Sequence, residues 1–386
     1  MDKISQNNQS SLKGFDVFCF SHLRWDFVFQ RPQHVMSRFA LNGRVFFIEE
    51  PTFVDGPSFI DVSDRGNNIF VCVPHLSETE MHQMPQLIEG LRQEREVHNY
   101  ITWFYTPMMI EWSSRLQPKA TVYDCMDQLS AFKNAPPELM PRERELFEKA
   151  DVVFTGGHSL YEAKKEQHHS IYAFPSSIDV THFSKVLEVE KDLPEQAGIE
   201  RPRIGFVGVI DERTDIDLLA SIAELRPGWS FIMVGPVVKI SEEDMPRRDN
   251  IHYFGQRSYD DLPTILAGWD AAMMPFALNE STRYISPTKT PEYLAAGLPV
   301  VSTPIMDVVR PYGEMGLVHI ASTPEEFVQA LTVAMDEDAD QRLKAAAEFL
   351  SKNSWDKTFA QMNEVIRDAI SKKRGSETKT AEAASV

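Results

Sequence analysis

The 386-residue sequence is poor in cysteine and has no long hydrophobic run. Its three cysteines, Cys19, Cys72 and Cys125, each lie in or beside an apolar segment. An odd number of cysteines in apolar segments predicts buried, reduced thiols of a cytoplasmic protein rather than a disulfide framework. No segment approaches the roughly 18 consecutive apolar residues of a membrane-spanning helix. Residues 1–14 also lack the apolar core of a signal peptide, so we expect none.

Basic residues are scarce as well. The chain has 39 Lys and Arg against 57 Asp and Glu, which gives a net charge of -18. This balance argues against a broad nucleic-acid-binding face, so we expect no nucleic-acid partner. It argues equally against general adsorption to anionic lipid, but a local basic patch leaves open a peripheral contact with the inner face of the plasma membrane. Zinc-type spacing of Cys and His is missing, so we expect no metal site.

Short apolar runs alternate with amphipathic segments along most of the chain. This alternation is typical of a parallel sheet covered by helices on both faces. It occurs twice, on either side of a charged segment, so we predict an α/β protein with two Rossmann-like domains whose facing sheets form a cleft. The predicted divisions are a disordered tail at 1–13, a first domain at 14–183, a linker at 184–202, a second domain at 203–353, a last helix at 354–371 and a disordered tail at 372–386.

Two common nucleotide-binding fingerprints are missing from both halves. No G-x-G-x-x-G follows the first strand, and no G-x-x-x-x-G-K-[ST] occurs anywhere. The sequence therefore disfavours a dinucleotide-dependent dehydrogenase and a P-loop enzyme.

The segment "SPTKTPEYLAAGLPVVST" (286–303) predicts a loop, a short helix and a strand. Thr290 is placed to cap the helix, with Pro291 at its first position. Gly297 is placed to end it. Lys289 is unexpected, because a cation is unfavourable at the positive end of a helix unless an anion is bound there.

Two interpretations of this segment are open from the residues alone. It is either an ordinary capped helix with an acidic first turn, or a phosphate site made by Lys289 and backbone N–H groups. In the second case Glu292 is free to accept hydrogen bonds from vicinal hydroxyls, such as those of a ribose.

The segment "KTPEYLAAGLPVVST", after "GWDAAMMPF", resembles the donor-site signature of the group 1 retaining glycosyltransferases of the GT-B fold. The segments "FSHLRWDFVFQRPQHVMSRFA", "VYDCMDQLSAF" and "NESTRYISPTKTPEYLAAG" are similar to those of bacterial teichuronic-acid and exopolysaccharide glycosyltransferases. The similarity covers residues 15–365, approximately. "NSWDKTFAQM" resembles the family segment that precedes a last helix packed on the first domain.

The resemblance implies transfer of a sugar from a nucleotide diphosphate sugar to a hydroxyl of a glycan or lipid-linked glycan, with retention, in cell-surface polysaccharide synthesis. It implies no cofactor beyond that co-substrate and no metal, because protein cations and helix N-termini stabilise the pyrophosphate. The residues that we assign to catalysis are Asp127, Lys289 and Arg213. The residues that we assign to donor binding are Gly208, Asn279, Glu280, Ser286, Thr288, Lys289, Thr290 and Glu292.

Two positions depart from the family pattern. Its first acid falls at Tyr284, so Asn279 or Glu280 would have to substitute for it. Its second cation belongs near "GVIDERTD", where Arg213 is the one cation present. The alternative is that Arg213 is a solvated loop residue. We expect Asp215 to cap the next helix.

The loop "SHLRWDFVFQRPQH" follows the first strand, where ligands of parallel sheets bind. Its Arg24, Arg31 and His34 surround Trp25. We predict that these four residues bind the acceptor, because cations suit a phosphate and an aromatic face suits a sugar. Binding of the donor pyrophosphate by the three cations is also open. The alternative is that the aromatic residues pack the loop and Arg31 pairs locally.

Asp124 and Asp127 end a later strand, in "VYDCMDQ". We predict that they orient acceptor or sugar hydroxyls, and the alternative is that one of them caps the following segment. Their spacing differs from the Asp-x-Asp of metal-dependent glycosyltransferases.

Two other functions remain open. One is a nucleotide-sugar epimerase of the same fold, which needs acid and base residues that we cannot assign here. The other is a nucleotide-sugar-binding protein without turnover, which the departure at Tyr284 leaves open.

Overall fold

The computed structural model describes residue 12, residues 14–189 and residues 193–383. The other residues of the predicted N-terminal tail, 1–11 and 13, lie outside the described residues. Leu12 does not fit that prediction, because it is buried in the core of the first domain.

The first sheet is built from nine strands within the described residues. They are β1 (Asp16–Phe20), β2 (Val45–Ile48), β3 (Thr52–Phe53), β4 (Phe59–Asp64), β5 (Ile69–Leu76), β6 (Tyr100–Phe104), β7 (Thr121–Cys125), β8 (Val152–Thr155) and β9 (Ile171–Ala173). Their order is β3-β5-β2-β1-β6-β7-β8-β9, with β4 antiparallel on β5.

The second sheet has six strands, all paired in parallel. They are β10 (Arg203–Val207), β11 (Ser230–Val234), β12 (Ile251–Gly255), β13 (Ala271–Met274), β14 (Val300–Ser302) and β15 (His319–Ile320). Their order is β12-β11-β10-β13-β14-β15.

The α-helices cover the faces and edges of both sheets. They are α1 (Arg31–Phe39), α2 (Met84–Glu94), α3 (Leu139–Lys149), α4 (His158–Lys164), α5 (Val180–Phe183), α6 (Pro194–Ala197), α7 (Ile216–Leu225), α8 (Leu262–Ala267), α9 (Lys289–Ala295), α10 (Met306–Val308), α11 (Pro324–Asp336), α12 (Ala339–Leu350) and α13 (Trp355–Ala383).

The central strands of each sheet are buried on both faces, which explains why they are apolar runs rather than alternating ones. In the first sheet, Phe18 and Phe46 pack into one core, and Val17 and Phe47 pack into the core on the opposite face. Successive side chains of a strand point to opposite faces, so a fully apolar run fills both layers. The predicted α/β architecture with two parallel-sheet domains is confirmed.

The last helix, α13, packs on the first domain, as predicted. Its buried Trp355, Met362 and Ile366 join the same core as Val17. Arg38 of α1 also pairs with Asp356 at 2.6 Å. Hydrophobic burial of one face therefore fixes this helix on the domain opposite to the one it follows in sequence.

Three predicted segment assignments differ from the structure. The tail at 372–386 is helical as far as Ala383, because extending a helix that is already anchored by packing costs little. The linker at 184–202 contains α6, whose Gln196 accepts a hydrogen bond from Trp269 Nε1 at 2.8 Å. Phe183, assigned to the first domain, is buried in the core of the second.

The three cysteines are buried and unpaired, as expected. No helix in the described part of the chain is both long enough and apolar enough to span a bilayer.

Candidate active site

A cavity of about 160 Å³ lies between the two domains. Strand ends β7, β8, β10 and β13 surround it, together with the start of α1 and the loop before α9. The residues predicted from the sequence that line it are Arg31, Asp127, Gly208, Arg213, Ser286, Thr288 and Lys289. The site therefore forms where the carboxyl ends of the parallel strands of both sheets meet.

Helix α9 begins at Lys289, and Thr288 is its N-cap residue without a side-chain hydrogen bond. The prediction that Thr290 caps the helix is wrong. Its hydroxyl is buried, 3.6 Å from the sulfur of Met274, so core packing decides its position. Its side chain does not line the cavity, and any contact of Thr290 with a ligand would use its backbone.

The end of α9 follows the prediction. Gly297 has a φ of 74°, which favours glycine. Its N–H donates to Leu294 O at 3.1 Å, and Leu298 N–H donates to Tyr293 O at 3.0 Å. This is a Schellman motif, so α9 is held short and its N-terminus stays at the cavity.

Lys289 pairs with Glu292, and their Nζ and Oε2 atoms are 2.7 Å apart. The two side chains are only 16% and 8% exposed. Burial raises the pKa of Glu292, and the nearby Lys289 opposes that shift. Lys289 faces the cavity, while Glu292 lies behind it. The pair therefore explains how a cation is tolerated at the helix start, and it leaves the ammonium accessible to an anion.

Arg213 lines the cavity from the loop after β10. Its guanidinium donates to both carboxylate oxygens of Asp211 at 2.7–3.1 Å. The alternative of a solvated loop residue is therefore not what the structure shows. Asp215 accepts from Leu218 N–H at 2.8 Å and caps α7, as predicted.

Asp127 lines the cavity from the loop after β7. Burial raises its pKa to about 6, although Arg213 and Arg31 act in the opposite direction. A carboxyl group with such a pKa is suited to exchange a proton near neutral pH.

Among residues 12, 14–189 and 193–383, no group of three or more His, Cys, Asp and Glu side chains is arranged to hold a metal ion. The predicted independence of metal is not tested by this observation and stays a prediction.

Residues 201–337 match the family model of the group 1 glycosyl transferases. This match covers most of the second domain. The chain is also 22% identical over 284 residues to the teichuronic acid biosynthesis glycosyltransferase TuaH of Bacillus subtilis, covering 67% of this chain and 70% of that protein. The resemblance drawn from the sequence motifs is therefore confirmed.

Solved structures show that the chain has the GT-B fold. The sucrose-phosphate synthase of Thermosynechococcus elongatus matches with a TM-score of 0.69 at 12% identity. The E. coli trehalose-6-phosphate protein bound with UDP-2-fluoro glucose matches with a TM-score of 0.66 at 14% identity. Each alignment covers 92% of this chain and 99% of the other.

The geometry of α9 gives a test of the role of Glu292. Glu292→Gln keeps the shape and one acceptor but loses charge-assisted hydrogen bonds, which are about twice as strong as neutral ones. Glu292 does not itself line the cavity, so the test asks whether a bound ribose reaches it. If it does, affinity for the preferred nucleoside diphosphate falls on the order of tenfold by calorimetric titration. The loss should shrink with the 2′,3′-dideoxy analogue, because it has no vicinal hydroxyls. An equal loss with both ligands would show that Glu292 does not contact the ribose.

The pKa of Asp127 predicts the pH dependence of turnover. The ionised carboxylate accepts a stronger, charge-assisted hydrogen bond from the acceptor hydroxyl than the protonated group does, so kcat/KM should fall as the pH decreases through about 6. Asp127→Asn should lose most activity. The activity that remains should not fall as the pH decreases through about 6, so the variant should lack this acid limb of the pH profile. Asp368→Asn, an exposed change on α13, is the control and should keep the limb. Rates measured from about pH 4.5 to about pH 8 decide the question, and an unchanged limb in Asp127→Asn contradicts the assignment.

The predicted acceptor residues of the first domain are only partly brought to the cavity. Arg31 lines it, but its Nη2 is 2.8 Å from Asp124 Oδ1, and both side chains are buried. Asp124 is therefore occupied by Arg31 and does not itself line the cavity. Arg31 is therefore paired, but not locally as the alternative interpretation had it, because Asp124 lies 93 residues further along the chain.

Arg24 and Trp25 lie outside the cavity lining. Both are held by Glu49, which accepts from Arg24 Nη1 at 2.8 Å and from Trp25 N–H at 2.7 Å. The Trp25 ring packs edge-on against Phe47. Arg24 remains 42% exposed, so an acceptor contact stays a prediction for Arg24, whereas Trp25 is partly committed to packing.

His34 does not take the position predicted for it. Its ring stacks on Trp355 at 4.6 Å and meets Phe29 edge-on at 4.7 Å. Burial is the largest influence that lowers its pKa, to about 3, so the ring is neutral near pH 7. A neutral, buried imidazole cannot serve as the predicted phosphate-binding cation, and packing between α1 and α13 explains its place.

The replacements proposed for the missing acid also lie away from the cavity lining. Asn279 Oδ1 accepts from Ser281 N–H at 3.0 Å and stabilises a turn. Glu280 is exposed and its nearest cation is Arg283 at 3.6 Å. Tyr284, at the position of the family acid, packs against the core of the first domain. This arrangement brings neither Asn279 nor Glu280 to the cavity.

Sequence reasoning missed two contributors. Asp211, the partner of Arg213, is signalled only by its position two residues earlier. Phe29 lines the cavity and stacks on Tyr259 of the second domain at 4.6 Å. A local pattern does not indicate such a contact, because its partner lies 230 residues away.

Proposed function

We propose that this glycosyltransferase moves a sugar from a nucleotide diphosphate sugar to a hydroxyl of a glycan or lipid-linked glycan, with retention at the anomeric carbon. The observation that carries the proposal is the convergence of Lys289 and Arg213 from one domain and Asp127 from the other on a single cavity. Cations suited to a diphosphate therefore lie beside a carboxylate suited to a hydroxyl.

In the proposed step, the bond between the anomeric carbon and the phosphate oxygen breaks, and its electron pair leaves with the nucleoside diphosphate. The acceptor oxygen forms the new bond on the same face of the sugar, and its proton passes to the leaving phosphate oxygen. Lys289, Arg213 and the N–H groups at the start of α9 stabilise the negative charge that develops on the leaving group. Asp127 orients the acceptor hydroxyl. These residues make a metal ion unnecessary in the proposal.

The substrates are proposed from the relatives. A structural neighbour binds UDP-2-fluoro glucose, which supports a nucleotide-sugar donor. The Bacillus subtilis relative is named as a glycosyltransferase of teichuronic acid biosynthesis. This name supports a role in cell-surface polysaccharide synthesis. We place that role in the cytoplasm, at the inner face of the plasma membrane.

The cavity is smaller than the roughly 300–1,000 Å³ of most ligand pockets. The proposal therefore includes separation of the domains to admit a nucleotide sugar. Contacts that have to break include the Phe29–Tyr259 stack and the hydrogen bond from Ser159 N–H to Asp307 Oδ1, at 2.9 Å. Domain opening is thus part of the proposed cycle.

The experiment is a turnover assay with the full chain in EDTA. Sugar donors carrying UDP, GDP, ADP or dTDP are combined with bacterial lipid-linked glycan extracts, and release of nucleoside diphosphate is measured. We expect release that depends on the acceptor, and a product whose anomeric configuration by NMR equals that of the donor. Conversion of the donor into its epimer would favour an epimerase, and binding without release would favour a non-catalytic protein. Loss of turnover in EDTA with recovery in manganese would refute metal independence.

A further inference from the structure

An aromatic side chain of the first domain lies against two cations of the second. The ring centroid of Phe132 is 5.3 Å from Cζ of Arg213 and 4.7 Å from Nζ of Lys239. Both cations are within the roughly 6 Å at which the face of an aromatic ring attracts a positive charge. The next residue, Lys133, donates its backbone N–H to Glu212 Oε1 at 3.4 Å. Phe132 therefore contacts, across the two domains, the same Arg213 that lines the cavity.

The loop that carries Phe132 also carries Asp127, and a turn of 3-10 helix at Leu129–Ala131 connects the two residues. Leu129 N–H donates to Asp127 O at 3.1 Å, and Phe132 N–H donates to Leu129 O at 3.3 Å. Two consecutive backbone hydrogen bonds thus link the carboxylate residue to the aromatic one. A displacement of the Phe132 ring is therefore transmitted to Asp127.

The guanidinium of Arg213 is held from two sides. Its Nε and Nη2 donate to the carboxylate of Asp211, which belongs to the same domain. The Phe132 ring holds it from the other domain and, unlike a second carboxylate, leaves its charge unneutralised. Because Asp211 uses Nε and Nη2, the donor left for a ligand is Nη1. Separation of the domains breaks the contact with Phe132 but not the pair with Asp211.

We propose that Phe132 is a positioning residue, which places Arg213 for the leaving group and Asp127 for the acceptor when the two domains come together. This inference rests on the proposed function and adds to it a residue that acts through two members of the site. The effect of Phe132 is greatest in the transition state, where negative charge develops on the leaving group and the acceptor hydroxyl has to be oriented.

The test compares Phe132→Leu, Phe132→Tyr and Phe59→Leu in the full chain. Leucine keeps an apolar side chain but has no ring, whereas tyrosine keeps the ring face. Phe59 is the matched control, because it is a half-exposed phenylalanine of the first domain whose ring stacks on His75 at 4.8 Å. Release of nucleoside diphosphate is measured with the donor and the lipid-linked glycan extract that give the highest rate in the wild type.

We expect Phe132→Leu to lower kcat about 3- to 30-fold, as loss of a cation–π contact predicts, with little change in KM for the donor. Phe132→Tyr and Phe59→Leu should keep the wild-type kcat. In an Arg213→Gln background, Phe132→Leu should cost much less, because one residue acts through the other. Losses that add fully would overturn the coupling of Phe132 to Arg213.

The pH profile of Phe132→Leu separates positioning from a loss of stability. Burial is the largest cause that raises the pKa of Asp127. The charged groups that act on it are, in decreasing order, Arg213, Arg31, Asp211 and Lys239, and Asp211 alone among these four raises the pKa. Arg31 belongs to the first domain with Asp127, and the other three together carry one net positive charge. When Phe132 no longer holds them near, the pKa of Asp127 should rise, and the acid limb of kcat/KM should move above about pH 6.

The possible outcomes distinguish this inference from the function on which it rests. Wild-type kcat in Phe132→Leu, or a lower kcat with an unmoved acid limb, would overturn the positioning role and leave the proposed function intact. Absence of nucleoside diphosphate release by the wild type with every donor would instead overturn the proposed function, and this inference with it.

Discussion

Lys289→Gln is expected to weaken nucleoside diphosphate binding by about 1–3 kcal/mol, or roughly 5- to 150-fold. The ammonium faces the cavity at the first residue of α9, where the helix N-terminus already favours an anion. Glutamine can still donate a hydrogen bond to Glu292, but it supplies no charge to the diphosphate. Calorimetric titration with the preferred nucleoside diphosphate measures the loss directly.

The matched control for this change is Lys344→Gln, an exposed lysine on α12 of the same domain. It alters the net charge equally and should leave affinity unchanged. Urea unfolding of both variants reports any loss of stability from leaving the buried Glu292 without its cation. Equal affinity in Lys289→Gln and the wild type would remove Lys289 from the donor site.

Arg31→Leu is expected to lower the free energy of unfolding by about 3–5 kcal/mol. The change leaves Asp124, which is fully buried, without its cation. It also removes the hydrogen bond from Arg31 Nη1 to Phe174 O, at 2.6 Å. Urea unfolding near pH 7, followed by tryptophan fluorescence and circular dichroism, measures the loss.

The pH dependence of this destabilisation identifies its cause. Burial already raises the pKa of Asp124 in the wild type, and Arg31 opposes that shift. Without Arg31 the folded-state pKa rises further above the unfolded value, so stability is retained at low pH and lost as the pH increases through the folded pKa. The difference from the wild type should therefore be smaller near pH 4 than near pH 7. Arg31→Leu combined with Asp124→Leu should recover much of the loss, and a pH-independent loss would point to packing instead.

The fold could be predicted well from the sequence, because the signals that indicate its strands and helices each lie within one short segment. Strands such as β1 and β10 are buried on both faces and appear as apolar runs, and the Gly297 cap depends on a single residue's conformational freedom. The family signature around Lys289 is also one continuous segment. Features of this kind can be predicted without knowing which distant residues meet.

The sequence failed where a role depends on distant partners. His34 is removed from the ligand by stacking on Trp355, which is 321 residues further along the chain. Thr290 loses its capping role to core packing against Met274. The contact of Phe29 was missed because its partner, Tyr259, belongs to the other domain. Tertiary contacts override local propensity at each of these positions.

Thermal denaturation of the full chain with UDP, GDP, ADP and dTDP in EDTA tests the central claim most directly. A ligand that binds the native state alone stabilises it, by about 2.7 kcal/mol at 100 times its Kd. The account predicts that at least one of the four raises the melting temperature without added metal, that the corresponding nucleoside raises it less, and that Lys289→Gln reduces the shift. No shift with any of the four, in a protein that unfolds cooperatively, would contradict a nucleotide-sugar site between the two domains.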